Sequence, residues 1–171
     1  AAMRGELDLA ARLAREALAA ATEAQQPDAP AFFAGQDYVI HLHRHALASM
    51  IDEVRWVIEE FGEVHAFRAG LALALVENGR ADESRVHYER LLEIVPTLRK
   101  DLNYVLTVSI TAACSSRLGD TGGAGLLFGH LEPYRARYVD IGTGFYGAVE
   151  HYLGLLESTL GRHDAGHESI R

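Results

Sequence analysis

The stretch LALALVENGRADESRVHYERLLEIVP, residues 71–96, predicts two antiparallel helices joined by a very short turn. Its apolar residues recur at the three- and four-residue spacing of a helix, and Gly79 follows the first run, where a helix commonly ends. Ser84 is small enough to let the two backbones approach, and the ring of Tyr88, four residues later, fills the space beyond. Pro96 ends the second run because proline removes a helix hydrogen bond.

The same helical periodicity extends over nearly the whole chain of 171 residues, and strand-type alternation is almost absent. The second helix is expected to start at Pro30, and Asp101 is the expected cap of the sixth. The predicted helices cover about residues 6–26, 30 into the run HLHRH, 47–61, 66–78, 82–94, 102–118, a segment around 126–131 and 143–160, and a ninth begins at the end of the chain.

Four turn positions follow predicted helix ends, His45, Gly79, Gly119 and Gly161, and we interpret Gly5 as the remnant of an earlier turn of the same kind. They are roughly 34 to 42 residues apart, which is the length of one helical hairpin in a repeat protein. This spacing predicts a single all-α domain, a right-handed α-solenoid of antiparallel helix hairpins. The expected units are a partial one at 1–27, then 30–62, 65–96 and 101–133, and a truncated one at 143–171.

The composition and charge exclude several classes of protein. With 49% hydrophobic and 23% charged residues, no apolar run long enough for a membrane span and no signal peptide, the sequence is typical of a soluble globular domain. The single cysteine, Cys114, lies in an apolar run and predicts a buried, inert thiol in a cytoplasmic protein. The net charge of −8 argues against direct binding of nucleic acid. The start at Ala1 and the interrupted helical pattern at Arg171 predict a fragment of a longer protein.

The segment 71–96 resembles a tetratricopeptide repeat. The positions that match the pattern of that family are Leu71, Ala72, Leu75, Ser84, Tyr88, Leu91 and Pro96. The tryptophan usual in the family is missing from the repeats, and Arg68 stands at its place in this unit. The resemblance implies paired helices that stack into an array.

The chain as a whole also resembles the C-terminal helical-repeat region of large bacterial regulators, the LuxR-type transcriptional regulators and the cyclase-type signalling ATPases. Three segments carry this resemblance: AREALAAATEAQQPDAPAFF, LALALVENGRADESR and HYLGLLESTLGRHDA. It implies repeats that bind a protein or peptide partner, or a small effector, and pass that state to an output domain. Two alternatives stay open: a free-standing tetratricopeptide scaffold, and a fragment of a nucleotide-binding enzyme of the cyclase or ATPase type.

The stretch VDIGTGFYGAVEHYLG, residues 139–154, contains a G-x-G-x-x-G motif. A dinucleotide site requires a strand before the motif, a βαβ unit around it and an acidic residue about 20 residues later. Residues 138–141 suit a strand and Asp164 lies near the required offset, but no second strand is expected and a helix is expected from Thr143. We therefore interpret the last two glycines as places where that helix packs closely on a neighbour. The three glycines are Gly142, Gly144 and Gly147.

The histidines and acidic residues do not form a recognisable catalytic or metal-binding pattern. In HLHRH, at the end of a predicted helix, His41 and His45 share a face and His43 does not. A second pair with the same spacing, His163 and His167, also lacks the glutamate of a zinc-protease motif. Neighbouring carboxylates fall at turns or polar faces. We predict no metal site, no cofactor and no catalytic residue, and hence a fragment that is not an enzyme.

A partner is the remaining expectation. In repeat arrays the first helix of each pair lines the concave groove, so polar positions of those helices are candidates to bind the partner. They are Gln36, His43, Arg44, Arg68, Asn103, Thr107 and Glu150. Arg68 and Asn103 stand out, because arginine and asparagine bind peptide carboxylates and backbone groups.

We also expect a homodimer formed through the open ends of the array, because unpaired repeat faces expose apolar surface. At the C-terminal end, an incomplete ninth helix is expected to leave Tyr152, Leu153 and Leu156 uncovered. At the N-terminal end, the first helix lacks a partner for Leu7, Leu9, Leu13 and Leu18. No contact with a membrane is expected.

Overall fold

Helices account for 75% of the residues that the computed structural model describes, which are 1, 4–61, 64–142 and 144–162. The predicted all-α class is confirmed, and the structure adds one pair of short strands. The elements in chain order are α1 (Leu7–Glu23), α2 (Ala29–His43), α3 (Ile51–Phe61), α4 (His65–Glu77), α5 (Ala81–Ile94), α6 (Tyr104–Leu118), α7 (Thr121–Leu131), β1 (Tyr138–Asp140), β2 (Phe145–Ala148) and α8 (Val149–Thr159). Short 3-10 turns lie at Leu47–Met50, Val95–Thr97 and Glu132–Tyr134.

The α4 helix packs along both α5 and α6, and small side chains allow the close approach. Ser84 of α5 is fully buried, and its hydroxyl donates to the carbonyl oxygen of Ala72 in α4 at 2.7 Å. A bond this short between a serine side chain and a neighbouring backbone forms only where two helices lie very close. The prediction that Ser84 lies at the helix crossing is confirmed, and Tyr88, one turn later, is buried as expected.

The α6 helix lies at the centre of the fold, with α4, α7 and α8 packed along it. Its buried residues include four with hydroxyl groups: Thr107, Ser109, Thr111 and Ser115. The hydroxyls of Thr107 and Thr111 donate to carbonyl oxygens one turn earlier, at 2.8 and 2.7 Å. These bonds satisfy the threonine hydroxyls inside the helix, so their burial does not require water.

The five expected turn positions share one backbone conformation. Positive φ angles occur at Gly5 (76°), His45 (54°), Gly79 (73°), Gly119 (67°) and Gly161 (70°). After each of them, the next N–H donates to the carbonyl oxygen five residues earlier, which is the Schellman pattern of a helix end. The donor and acceptor pairs are Glu6 and Ala1, Ala46 and His41, Arg80 and Leu75, Asp120 and Ser115, and Arg162 and Glu157. The end of α1, at Gln25, uses the same geometry.

The predicted helix from Thr143 is wrong in its first part. Residues 145–148 form β2, which pairs antiparallel with β1, and α8 begins only at Val149. Gly147 takes φ of 103° within β2, a conformation that an α-helix does not contain. Thr143 itself lies outside the described residues. The expectation that no second strand follows residues 138–141 is therefore also wrong.

The predicted start of the sixth helix is two residues early. The α6 helix begins at Tyr104, and Asn103 occupies the capping position without a side-chain cap bond. The carboxylate of Asp101, the predicted cap, instead accepts a hydrogen bond from the backbone N–H of Asn103 at 2.9 Å. Asp101 thus orders the approach to the helix and not its first turn.

The expected apolar surface at the C-terminal end is covered. Tyr152, Leu153 and Leu156 are buried, because α8 packs against α6 and α7, so the expectation that they lie uncovered is wrong. At the other end, α1 packs against α2 but leaves Leu13 47% exposed. Among the described residues, no helix has the length and apolar character needed to cross a membrane.

Gly123 provides a test of how tightly α5 and α7 are joined. Its N–H donates to Oδ2 of Asp120 at 3.1 Å, and the hydroxyl of Tyr88 donates to the same oxygen at 2.8 Å. A methyl group at position 123 would overlap both oxygens. We expect Gly123→Ala to lower the free energy of unfolding by about 1 to 3 kcal/mol, measured by urea denaturation.

The matched control is Gly125→Ala, two residues later in α7, where a Cβ meets nothing within 4 Å. Alanine is the better helix former, so this change should leave the free energy of unfolding unchanged or raise it by about 0.5 to 1 kcal/mol. Equal losses in the two variants would contradict the role given to the Tyr88–Asp120 contact.

Candidate functional site

A pocket of about 220 Å³ opens between α2, α3, α4, α6 and the strand pair β1–β2. Its walls are almost entirely apolar, with rings from three of these elements. The lining residues are Ala31, Phe32, Ala34, Gly35, Tyr38, Val54, Val57, Val64, Ala66, Phe67, Gly70, Asn103, Leu106, Ile141 and Tyr146. A concave, apolar, preformed space with few polar groups is the usual form of a small-ligand site. We call it the α2–α4 pocket.

The pocket exists because a tyrosine ring, and not a direct helix contact, sets the distance between α2 and α4. Tyr38 of α2 donates its hydroxyl to the carbonyl oxygen of Gly70 in α4 at 3.0 Å. A Cβ at position 70 would lie 3.2 Å from the ring, so glycine leaves the room that the ring needs. Burial raises the pKa of Tyr38 well above its ordinary value, which keeps the hydroxyl protonated as a donor.

The strand pair forms the remaining wall and is fastened to α2. The Tyr146 hydroxyl donates to the carbonyl oxygen of Gly35 at 3.3 Å, and Nε2 of His43 lies 3.1 Å from the carbonyl oxygen of Phe145. The Tyr152 hydroxyl of α8 donates to the Tyr146 carbonyl oxygen at 2.7 Å. Tyr146 is thus held from both sides, and its ring closes the pocket.

The G-x-G-x-x-G motif serves this strand pair. Gly142 takes φ of 80° after β1, and its N–H donates to the Asp140 carboxylate at 2.8 Å. Gly144 lies against α2, where a Cβ would be 2.9 Å from Cγ1 of Val39. The two strands are antiparallel, so the segment is not the parallel βαβ unit that a dinucleotide motif requires. The close approach expected of Gly144 is present, but it is made by the residue just before β2 and not by a helix. Asp164 lies outside the described residues.

Of the seven predicted partner-binding residues, Asn103 is the one that lines the α2–α4 pocket. It is half-buried at the N-terminal end of α6, and its side chain makes no cap bond to the helix. Within the part of the chain that the structure describes, the amide has no hydrogen-bond partner. Asn103 therefore presents a free polar group at an otherwise apolar wall.

Thr107 and Arg68 lie near the pocket but do not line it. Thr107 is only 1% exposed, and its hydroxyl donates to the backbone of Asn103, so it does not reach the surface. Arg68 is half-buried, with Nη1 3.4 Å from Nδ1 of His87 in α5. Burial, and then the charge of Arg68, lower the pKa of His87, which favours the neutral imidazole that accepts from the guanidinium.

The other four predicted residues lie at separate places on the surface. Gln36 faces α1, His43 meets the strand pair, Arg44 forms an ion pair with Asp8, and Glu150 lies 3.7 Å from Arg135. Three of them thus make contacts within the chain. The structure does not bring the seven residues together into one groove.

His41 and His45 do not share a helix face, contrary to the sequence prediction. The α2 helix ends at His43, so His45 lies beyond it and shares no helix face with His41, a correction of the prediction. Nδ1 of His41 lies 3.3 Å from the carboxylate of Asp37. In the described ranges, no three His, Cys, Asp or Glu side chains gather into a group that could hold a metal. His163 and His167 lie outside those ranges.

Cys114 is buried in α6, as predicted. Its Sγ lies 3.4 Å from Oγ of Ser84, and burial raises the pKa of the thiol to about 11. Since the thiolate is the reactive species, the thiol is inert at neutral pH.

The rings of the pocket were not among the predicted site residues. In the sequence, most of these residues belong to the apolar faces of predicted helices. Core residues show the same pattern, so the pattern does not distinguish a pocket wall from the core. Whether two such faces touch or leave a gap depends on the distance between helix axes, and this distance is not a local property. The contact that accompanies the space between α2 and α4 joins Gly70 to the ring of Tyr38, 32 residues earlier, and helical periodicity does not predict such a contact. The rings are Phe32, Tyr38, Phe67 and Tyr146.

The fold and pocket define an all-α protein with a preformed apolar site. No protein-family model matches the chain, and no curated protein or solved structure is significantly similar to it.

The contact between Gly144 and Val39 gives a test of the strand-pair wall. A methyl at 144 would press on the Val39 side chain, so we expect Gly144→Ala to lower the free energy of unfolding by about 1 to 3 kcal/mol in urea. In a Val39→Ala background the same change should cost clearly less, because the obstructing methyl groups are gone. Strictly additive effects in this double-mutant cycle would show that the two residues do not touch.

Proposed function

We propose that this chain is a non-catalytic helical-repeat module that binds a partner or effector in the α2–α4 pocket. The observation that carries the proposal is the preformed apolar space itself, walled by rings and bordered by the free amide of Asn103. In a solenoid of helix hairpins, α2, α4 and α6 are the first helices of successive units. First helices line the concave face, where such arrays bind their partners.

Two features support an array of helix hairpins, which we propose is a right-handed solenoid. The α4 helix packs on α5 and on α6, and α6 packs on α7 and on α8, which is the arrangement of neighbouring units in an array. The five turns share a left-handed backbone conformation and the same backbone bond, and their spacing of roughly 34 to 42 residues is that of a repeated helical hairpin. The strand pair departs from a regular array, because β2 lies within the range 143–160 that was predicted to be one helix.

The wider setting rests on the resemblance of the quoted segments to bacterial regulators. On that basis the module belongs to a cytoplasmic LuxR-type or cyclase-type protein, and the occupant of the pocket is a peptide side chain of a protein partner or a small effector. The net charge of −8 opposes direct contact with nucleic acid. A free-standing tetratricopeptide scaffold is the alternative, and the full reading frame distinguishes the two.

A fragment of a nucleotide-binding enzyme is the other alternative. Besides the resemblance, the feature that favours it is the glycine motif, whose three glycines are accounted for by the turn at Gly142, the contact of Gly144 with Val39 and the positive φ of Gly147 within β2. The rings that line the pocket suit an apolar occupant and offer no partner for a triphosphate.

A neutral naphthylamine dye, 1-naphthylamine, tests the proposal because its size is that of two fused rings and its fluorescence emission moves to shorter wavelength in apolar surroundings. We expect saturable one-to-one binding to the wild-type chain. Ala66 lines the pocket and is half-buried in the first turn of α4, so Ala66→Leu fills space without replacing a core residue. This variant should bind the dye at least about tenfold more weakly.

The matched control is Ala81→Leu, in the first turn of α5, at an exposed position away from the pocket. It should bind the dye as the wild type does. Equal dye binding by all three proteins would show that the dye does not enter the pocket and would overturn the proposal. Micromolar binding of ATP or NAD in calorimetry would favour the enzyme alternative.

We also propose a homodimer through the open N-terminal end of the array, where Leu13 of α1 is 47% exposed. Apolar burial drives such an association, and the charge of −8 on each chain opposes it. Sedimentation at micromolar concentration should show a dimer that strengthens with salt and weakens in a Leu13→Glu variant. A monomer at every salt concentration would disprove it.

A further inference from the structure

The chemistry of the α2–α4 pocket restricts which ligands it can hold. Among the residues that the structure describes, no acidic or basic side chain lines it. A charged group placed inside would lose its water without gaining an ion-pair partner. The walls therefore select ligands that carry no charge on the buried part.

The tyrosine hydroxyls of the pocket already donate hydrogen bonds to backbone carbonyl oxygens. Tyr38 donates to the Gly70 carbonyl oxygen at 3.0 Å and Tyr146 donates to the Gly35 carbonyl oxygen at 3.3 Å. Each has thus given its single proton to the backbone of a helix and holds a wall in place. Among the described residues that line the pocket, Asn103 has the side-chain amide whose donors and acceptor meet no partner in the described part of the chain.

The volume of the pocket limits the size of the ligand. An engineered cavity of about 150 Å³ in another protein accommodates benzene. A volume of about 220 Å³ accommodates a second fused ring, which gives roughly ten non-hydrogen atoms. The rings of Phe32, Phe67 and Tyr146 offer faces and edges to such a ligand, contacts that aromatic partners favour over aliphatic ones of the same size.

We infer that the pocket binds an uncharged bicyclic aromatic ligand of about ten non-hydrogen atoms, with one polar group that hydrogen-bonds to Asn103. This inference rests on the proposed function, since it names the ligand of the same site. The apolar rings supply the affinity, and the amide fixes the orientation of the ligand and distinguishes ligands with a polar group from those without.

A series of naphthalenes tests the inference by calorimetric or fluorescence titration at neutral pH. Naphthalene has no polar group, 2-naphthol has one neutral hydroxyl, and 2-naphthoate and 2-naphthylmethylammonium carry a negative and a positive charge. We expect 2-naphthol to bind about fivefold more tightly than naphthalene. Both charged compounds should bind at least about tenfold more weakly than 2-naphthol.

The hydrogen bond is tested with Asn103→Leu, which should remove the preference for 2-naphthol and leave the binding of naphthalene unchanged. Asn78→Leu is the control, because Asn78 is the only other asparagine of the chain. It lies at the C-terminal end of α4, whereas the pocket is lined by the N-terminal half of that helix. This variant should keep the preference. Thermal unfolding of both variants checks that the fold is intact.

The outcomes separate the two proposals. If naphthalene binds and Ala66→Leu abolishes its binding, the proposed function stands. The inference then fails if Asn103→Leu keeps the preference for 2-naphthol, or if a charged compound binds as tightly as 2-naphthol. If no compound of the series binds in a way that Ala66→Leu weakens, the pocket is not a ligand site and both proposals fail.

Discussion

The close approach of α4 to its neighbours is the constraint on which the rest of the structure depends. On this helix, small residues alternate with leucines, and all of them are buried. The small residues let α5 and α6 lie against the α4 backbone, as the bond between Ser84 and the Ala72 carbonyl oxygen shows. The same property at Gly70 admits the ring of Tyr38, which spaces α2 and opens the pocket. The core and the candidate site thus have one physical origin, the absence of bulk along α4. The small residues are Ala69, Gly70, Ala72 and Ala74.

The features that the sequence predicted well are those set by local chemistry. Gly79 ends a helix because glycine tolerates a left-handed backbone, and the structure shows that conformation there and at His45, a residue without this tolerance. Ser84 and Tyr88 were correctly placed because a helical hairpin brings residues of fixed spacing together. The buried thiol of Cys114 followed from its apolar neighbours. Each of these predictions needs only one or two adjacent helices.

The features that were missed depend on contacts between distant parts of the chain. The residues of β2 fall within a helical pattern, and the contact between Gly144 and Val39 of α2 is made by the residue just before β2. Asn103 was selected as a polar residue of a first helix, but the apolar pocket around it depends on how far apart α2 and α4 lie. Tyr152 was expected to be uncovered because the position of α8 against α6 and α7 cannot be derived from α8 alone.

The attachment of the strand pair to α2 also affects how the molecule folds and unfolds. The contact between His43 and Phe145 spans 102 residues, and the bond between Tyr146 and Gly35 spans 111. An open array has only nearest-neighbour contacts and loses its units one after another from the ends. Here the two bonds join α2 to β2 and so close a loop that contains the intervening helices. The chain between them gains conformational entropy on unfolding only after α2 and β2 have separated. The attachment raises the contact order of an otherwise local topology, so we expect the N-terminal helices and α8 to unfold together.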